Sequence, residues 1–176
     1  VASAFIEKNI SEIHIYSYKQ NGLVSKIELK TEGRAYSVLP EGNVYYVSDF
    51  ENGLTKFQDN NVLDKYDLGS PVVDFKKWQD NFYVANLIDT RFVLMNKDAN
   101  NKLKRVDEFI TPGFTSDWCV SNRFIYVIDS DSGLTVFRNP SDIKNKIRFS
   151  KNIGRDYQKI FVDSSFVILF SKSKEL

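Results

Sequence analysis

The residues of this chain that could do chemistry fall into a few small groups, and the sharpest is Asp129-Ser130-Asp131-Ser132-Gly133. Its carboxylates stand at alternate positions, as at the start of a calcium loop, but such a loop also needs a downstream bidentate acid and Leu134 to Arg138 supplies none. A hairpin turn, with Asp and Ser capping backbone amides and Gly supplying positive φ, explains every residue. His14, the only histidine, lies in the alternating run Glu12-Ile13-His14-Ile15-Tyr16, and no Gly-x-Ser-x-Gly elbow offers it a nucleophile. It reads as a solvent-side or hydrogen-bonded strand residue. Cys119, the only cysteine, follows Trp118 with no neighbouring base or helix start to lower its pKa, and reads as inert packing. No metal site, cofactor or catalytic set is expected from these residues.

Composition narrows the classes further. A chain of 176 residues, 42% hydrophobic and 27% charged, can bury a sizeable core and has the length of about one domain. Its 24 Lys and Arg balance 23 Asp and Glu, so no bulk charge recommends a nucleic acid or an anionic membrane. A single cysteine forms no intrachain disulfide and no multi-cysteine zinc site. The longest late apolar run, Phe166 to Phe170, is far short of the roughly 20 residues of a spanning helix. The opening Val-Ala-Ser-Ala-Phe has no initiator Met and no signal-like pattern, as expected of a processed protein or a fragment.

Behind the candidate turns stands a repeat. Four fifteen-residue stretches beginning at Ala35, Val72, Thr115 and Tyr157 superpose without a gap, their starts 37, 43 and 42 residues apart. The fourth column reads Val38, Phe75, Trp118, Ile160; the twelfth and thirteenth read Tyr46-Val47, Tyr83-Val84, Tyr126-Val127 and Ile168-Leu169. Both sets are expected in the core. Turn-formers in the middle split each stretch into strands a and b, and a polar b–c turn leads to strand c at Leu54 to Phe57, Phe92 to Met95 and Leu134 to Phe137. Strand d follows at Val62 to Leu68, Leu103 to Ile110 and Ile147 to Ile153. Strand b is apolar on successive residues and so buried on both faces, whereas d alternates and reads as a solvated edge. Ahead of Ala35 comes a unit without strand a: b at Val1 to Ala4, a long connection from Phe5 to Ser11, c at Glu12 to Tyr18 and d at Leu23 to Leu29.

Seventeen strands in four-stranded antiparallel sets predict an all-β fold, a partial β-propeller of about four blades from a larger ring. The expected divisions are b–c–d at 1–30, blades at 35–69, 72–110 and 115–153, and a partial blade at 157–171 of one domain or fragment, 1–176. A β-sandwich would demand strict alternation in strand b, which the sequence lacks. An a, b, c, d order within each sheet is the corresponding expectation.

The units at 35 to 49 and 125 to 142 resemble LVIVD repeats, propeller blades with a Tyr-Val-Ala-Asp strand, a Gly-Leu hairpin and a Ser-Asp-Pro turn. The resemblance covers most of the chain and departs at Thr90, which replaces the hairpin glycine, and at Asn139-Pro140-Ser141-Asp142, where proline precedes serine. It implies a surface or extracellular scaffold and brings no catalytic residue. The first functional expectation is therefore a non-enzymatic scaffold or adhesion module binding a protein partner or neighbouring subunit through its b–c turns: Asp49, Glu51 and Asn52; Asn86, Asp89 and Arg91; Asp129, Ser130 and Asp131. Alanine at Glu51, Arg91 and Asp131 is then expected to weaken binding and spare stability. The alternative is a propeller hydrolase or carbohydrate-active enzyme drawing on Asp74, Asp117 and Asp49. The many aromatics recur in core columns rather than as a base-stacking platform, and Lys97 to Arg105 reads as a solvated c–d loop. Asn9-Ile10-Ser11 is an acceptor pattern for N-glycosylation in an expected loop.

Overall fold

The structure, a computed structural model, describes residues 2–7, 10–20, 22–79, 81–121, 124–131, 133–138, 148–151, 157–163 and 166–171. All regular structure among them is strand. The first sheet holds β1 (Ala2–Glu7), β2 (Ile10–Lys19) and β3 (Gly22–Lys30). The next holds β4 (Ala35–Glu41), β5 (Val44–Asp49), β6 (Leu54–Gln58) and β7 (Asn61–Tyr66), and the third β8 (Val72–Gln79), β9 (Phe82–Leu87), β10 (Arg91–Lys97) and β11 (Leu103–Ile110). β12 (Thr115–Val120), β13 (Phe124–Asp129), β14 (Gly133–Arg138) and β15 (Arg148–Lys151) make a fourth sheet, and β16 (Tyr157–Val162) pairs with β17 (Val167–Ser171). Within every sheet neighbours in sequence are neighbours in space, in the a, b, c, d order that the repeat predicts.

The chain resolves into two compact units, Val1–Lys76 with Ala85–Leu87, and Lys77–Val84 with Ile88–Leu176. In the first, Ile13, Leu29, Ala35, Tyr45, Val47 and Phe57 form a buried cluster. In the second, Trp78, Val84, Phe92, Leu94, Phe109, Trp118, Ile125, Val127 and Phe137 form another. Large aromatics dominate the second because each fully buried ring removes the most apolar surface from water per residue ordered, whereas aliphatic residues make up most of the first. The Trp78 indole donates to the Ser121 carbonyl at 2.6 Å, so its polar edge is satisfied within the core.

Strand b behaves as its composition dictates. β5 and β9 are buried at every residue but the first, while β7 is exposed or half-buried throughout. Two expectations need correction. The long connection from Phe5 to Ser11 does not exist: β1 continues to Glu7 and β2 begins at Ile10, with Phe5 opposite Glu12, Ile6 opposite Ser11 and Glu7 opposite Ile10, because an unbroken register carries the pairing to the ends of both strands. Asn9 itself lies outside the described residues, but Ile10 and Ser11 of its acceptor pattern are strand rather than loop. The other correction falls on the core columns: Ile168 is 48% exposed, among the described residues no strand pairing with the far edge of β17, and Val38, Tyr126 and Leu169 are only half-buried.

Strand a carries one feature the sequence does not advertise. The a–b register slips by one residue between Ala35 and Ser37, between Thr115 and Asp117 and between Tyr157 and Lys159. The same column is thus bulged three times, at Tyr36, Ser116 and Gln158, and all three residues are exposed. A bulge re-aims one side chain out of the pleat, and at the first copy that side chain is a tyrosine.

Candidate interaction surface

The b–c turns are built as clamps before they are surfaces. Asp49 is fully buried and its Oδ1 accepts the Gly33 amide at 2.9 Å, while Thr55 Oγ1 approaches Oδ2 at 3.4 Å. Thr31 Oγ1 donates to the Gly33 carbonyl at 2.8 Å, closing the segment after strand d on itself, and the Gly33 amide ties it to the turn of the following hairpin. Only glycine fits position 33: a Cβ there would stand 2.7 Å from both Asp49 Oδ1 and Asn52 Nδ2. Burial pushes the Asp49 carboxyl above its ordinary range, against the pull of hydrogen bonds from Gly33, Asn52, Thr55 and the backbone at Glu32.

The same residue types recur 80 residues later in the other unit, Thr111, Gly113, Asp129, Gly133 and Thr135 standing for Thr31, Gly33, Asp49, Gly53 and Thr55. Asp129 is 1% exposed, with Oδ2 accepting Thr135 Oγ1 at 2.8 Å and Oδ1 accepting the Asp131 amide at 3.0 Å. Thr111 Oγ1 donates to the Gly113 carbonyl at 2.9 Å. Thr31, Gly33, Thr111 and Gly113 escape a reading confined to the b–c turns; their signal in the sequence is a Thr-x-Gly that keeps the 80-residue spacing of Asp-x-x-x-Gly-Leu-Thr. In the intervening copy Asn86 replaces the aspartate and Phe92 the threonine, so the charge and its hydroxyl donor disappear together. Asn86 is 5% exposed and its Oδ1 has no hydrogen-bond partner among the described residues. Thr90 replaces the glycine yet keeps the turn, adopting φ 71 where Gly53 has 76 and Gly133 has 78.

Asp49, Asn86 and Asp129, expected among the exposed turn residues, are therefore buried, because the turn backbone has to be satisfied from within. What reaches solvent is different. Tyr36, turned out by its bulge and 53% exposed, stacks on Phe50 with ring centroids 4.8 Å apart and planes at 24°. The Arg34 guanidinium lies 4.6 Å from the Phe50 centroid, and its Nε and Nη2 donate to Glu51 Oε1 at 3.1 and 2.6 Å. That bond holds the Glu51 carboxyl below its usual range and raises Arg34. Phe50 is fixed from below by its bridge to Val72. The result is a ledge of tyrosine, phenylalanine and paired arginine on a rigid turn.

The remaining expected positions separate in the same way. Arg91 donates to Asp89 Oδ2 at 2.8 and 2.6 Å and to Glu108 Oε2 at 3.3 Å, which tethers its turn to β11 rather than leaving it free. Asp131 is exposed, with Oδ1 accepting Ser130 Oγ at 3.2 Å, and Ser130 in turn bonds both ways with the backbone of Phe114, itself 68% exposed. Ser132 lies outside the described residues. Asp74 caps the Phe75 amide at 2.8 Å and pairs with Lys76 at 3.3 Å; Asp117 accepts the Ile160 amide at 3.0 Å. His14 stands 3.9 Å from both Glu12 and Glu28 on the face of β2 and β3, and Cys119 is half-buried in β12. In the Lys97 to Arg105 loop Asp98 accepts the amides of Asn100 and Lys102 and pairs with Lys104, the order of a capped turn. No group of three His, Cys, Asp or Glu side chains suited to a metal occurs among the described residues, and no helix there is long and apolar enough to cross a membrane.

No family model matches the chain, and no curated protein matches its sequence. Solved structures do. The chain is similar to the WD40 β-propeller domain of Doa1, with a TM-score of 0.65 at 10% identity over 96% of this chain and 59% of that one. It is similar also to the computationally designed Ika8 protein, with a TM-score of 0.65 at 11% identity over 96% of this chain and 54% of that one. The chain thus spans little more than half the length of the structures it matches. At such low identity the likeness speaks for the fold alone, and the fold is that of part of a β-propeller built from four-stranded antiparallel blades.

Proposed function

We infer that this chain is a non-enzymatic scaffold that binds a protein partner at the end of its sheets carrying the b–c turns, in a surface or extracellular assembly of the kind its resemblance to LVIVD repeats implies. One observation carries the reading: Tyr36 is 53% exposed and, with the half-buried Phe50 and Arg34, is held in place by stacking, an ion pair and the Asp49 clamp of the same turn. Tyrosine, phenylalanine and arginine are the residues enriched in the energetic centres of protein interfaces, and a preordered group loses little entropy on binding. The propeller fold supports the same role, since radially repeated sheets serve as rigid platforms for variable turns. Asp74 caps the Phe75 amide of its own strand, and Asp117 and Asp49 accept the amides of Ile160 and Gly33 from other segments, so backbone bonding occupies all three carboxylates on which the hydrolase reading draws.

The test compares the wild type with a Tyr36→Ala, Arg34→Ala double variant in affinity capture from the source organism, with melting temperature measured alongside. The expected result is a discrete partner lost with the double variant at unchanged melting temperature. A partner retained by the double variant refutes the placement, and hydrolysis of glycosides or esters by the purified chain refutes the class.

A further inference from the structure

Three groups at the first b–c turn converge on one kind of side chain. Tyr36 has a ring face against Phe50, with centroids 4.8 Å apart, and its 53% exposure leaves the outer face to solvent. Arg34 lies 4.6 Å from the Phe50 centroid and commits both Nε and Nη2 to a single carboxylate oxygen, Glu51 Oε1. No other side chain bonds Glu51 among the described residues, so Oε2 stands beside the stack with acceptor capacity left over. The repeat provides this set once. At the columns of Arg34, Tyr36, Phe50 and Glu51 the next turn has Pro71, Val73, Leu87 and Ile88, and the one after it Phe114, Ser116, Ser130 and Asp131. Neither stacks two aromatic rings beside a carboxylate. The surrounding charge is also one-sided: Glu51 and Glu32 are matched by Arg34 and Lys65, whereas Asp67 and the buried Asp49 have no cation beside them among the described residues.

We propose that the ledge binds an arginine side chain of its protein partner, the guanidinium lying flat on the outer face of Tyr36 and donating from its edge to Glu51 Oε2. The inference rests on the reading of the ledge as the partner-binding surface and adds the chemistry of what sits there. A guanidinium is attracted to the negative face of an aromatic ring and keeps its N–H groups in plane, free to bond a carboxylate alongside. The fold already makes this pair of contacts once, since Arg34 lies over Phe50 while bonding Glu51. Other occupants meet only part of the set. A lysine ammonium is compact and strongly hydrated and does not stack, and a proline ring stacks but has no N–H for Oε2.

The probe is the peptide acetyl-Gly-Arg-Gly-amide, titrated into the isotope-labelled full chain and followed by the backbone amide resonances. The expected result is a saturable shift of the amides of residues 34–36 and 50–51. Affinity should fall at least about fivefold for the citrulline peptide, which keeps the shape and loses the charge, and as much for the lysine and proline peptides. Tyr36→Ala should abolish the shift and Tyr36→Phe retain it, while Glu51→Gln should weaken binding at least about threefold, all at unchanged melting temperature. Absence of a saturable shift at these residues, equal affinity for the citrulline, lysine or proline peptide, or an unaffected Glu51→Gln variant overturns the proposal. The titration needs no partner protein, so its failure is distinct from failure of the ledge reading, which capture with the Tyr36→Ala, Arg34→Ala double variant decides.

Discussion

Replacing Asp49 by alanine separates a carboxylate that builds the fold from one that merely faces solvent. Its Oδ1 is the acceptor for the Gly33 amide at 2.9 Å in a region where Gly33, Gly53 and Asp49 are all buried. Alanine strands that amide without water, at a cost of about 1–3 kcal/mol. Loss of the long 3.4 Å approach from Thr55 adds little. For a chain of this length the sum corresponds to a fall of about 3–10 °C in melting temperature. Asp131→Ala is the control from the other turn, being exposed and, among the described residues, bonded through its side chain only to Ser130, and its effect should stay within about 0.5 kcal/mol. Calorimetry is the assay of choice, since Trp78 and Trp118 both belong to the second unit and Asp49 to the first. Equal melting temperatures for Asp49→Ala and Asp131→Ala would refute the clamp.

Stability should also depend on pH through Asp49. Its folded pKa is raised above the ordinary 3.8, so between these values the folded state holds more protons than the unfolded one, and stability falls as pH rises through the window. Asp49→Asn should remove that slope in calorimetric scans at stepped pH. Thr90→Gly should raise the melting temperature, because a β-branched residue at φ 71 carries about 1 kcal/mol of backbone strain that glycine lacks. Asn86→Asp should destabilise by more than about 2 kcal/mol, since it buries a charge where Phe92 has replaced the threonine donor of the other copies, and denaturant titration will read this.

Much of the architecture was legible because it rests on column chemistry. Tyr83-Val84 announces a strand buried on both faces and Leu63-Asp64-Lys65-Tyr66 a solvated edge, and the sheets follow both, although Tyr126 of the matching pair Tyr126-Val127 is only half-buried. The site was legible only in outline. Asp49 and Asp129 look like surface acids by composition, but a tight turn buries its capping carboxylate, and the partner amide of Gly33 lies 16 residues away in sequence. Tyr36 alternates into an ordinary strand on paper, and only the slipped register between Ala35 and Ser37 turns it outward. The exposure of Ile168 was hidden for the opposite reason: its residue type fits the core column, and burial depends on neighbours that no single strand encodes.

The central claim is that this chain meets its partner through the Tyr36 ledge. The most direct measurement is site-specific photocrosslinking, with a photoreactive phenylalanine at position 36 compared with the same group at Val62, which is 49% exposed on the edge strand β7. The account predicts one discrete protein crosslink from position 36 that fails to form when Phe50 is replaced by alanine and the stacking surface is lost. Crosslinks of equal yield from both positions, or from position 62 alone, would contradict it.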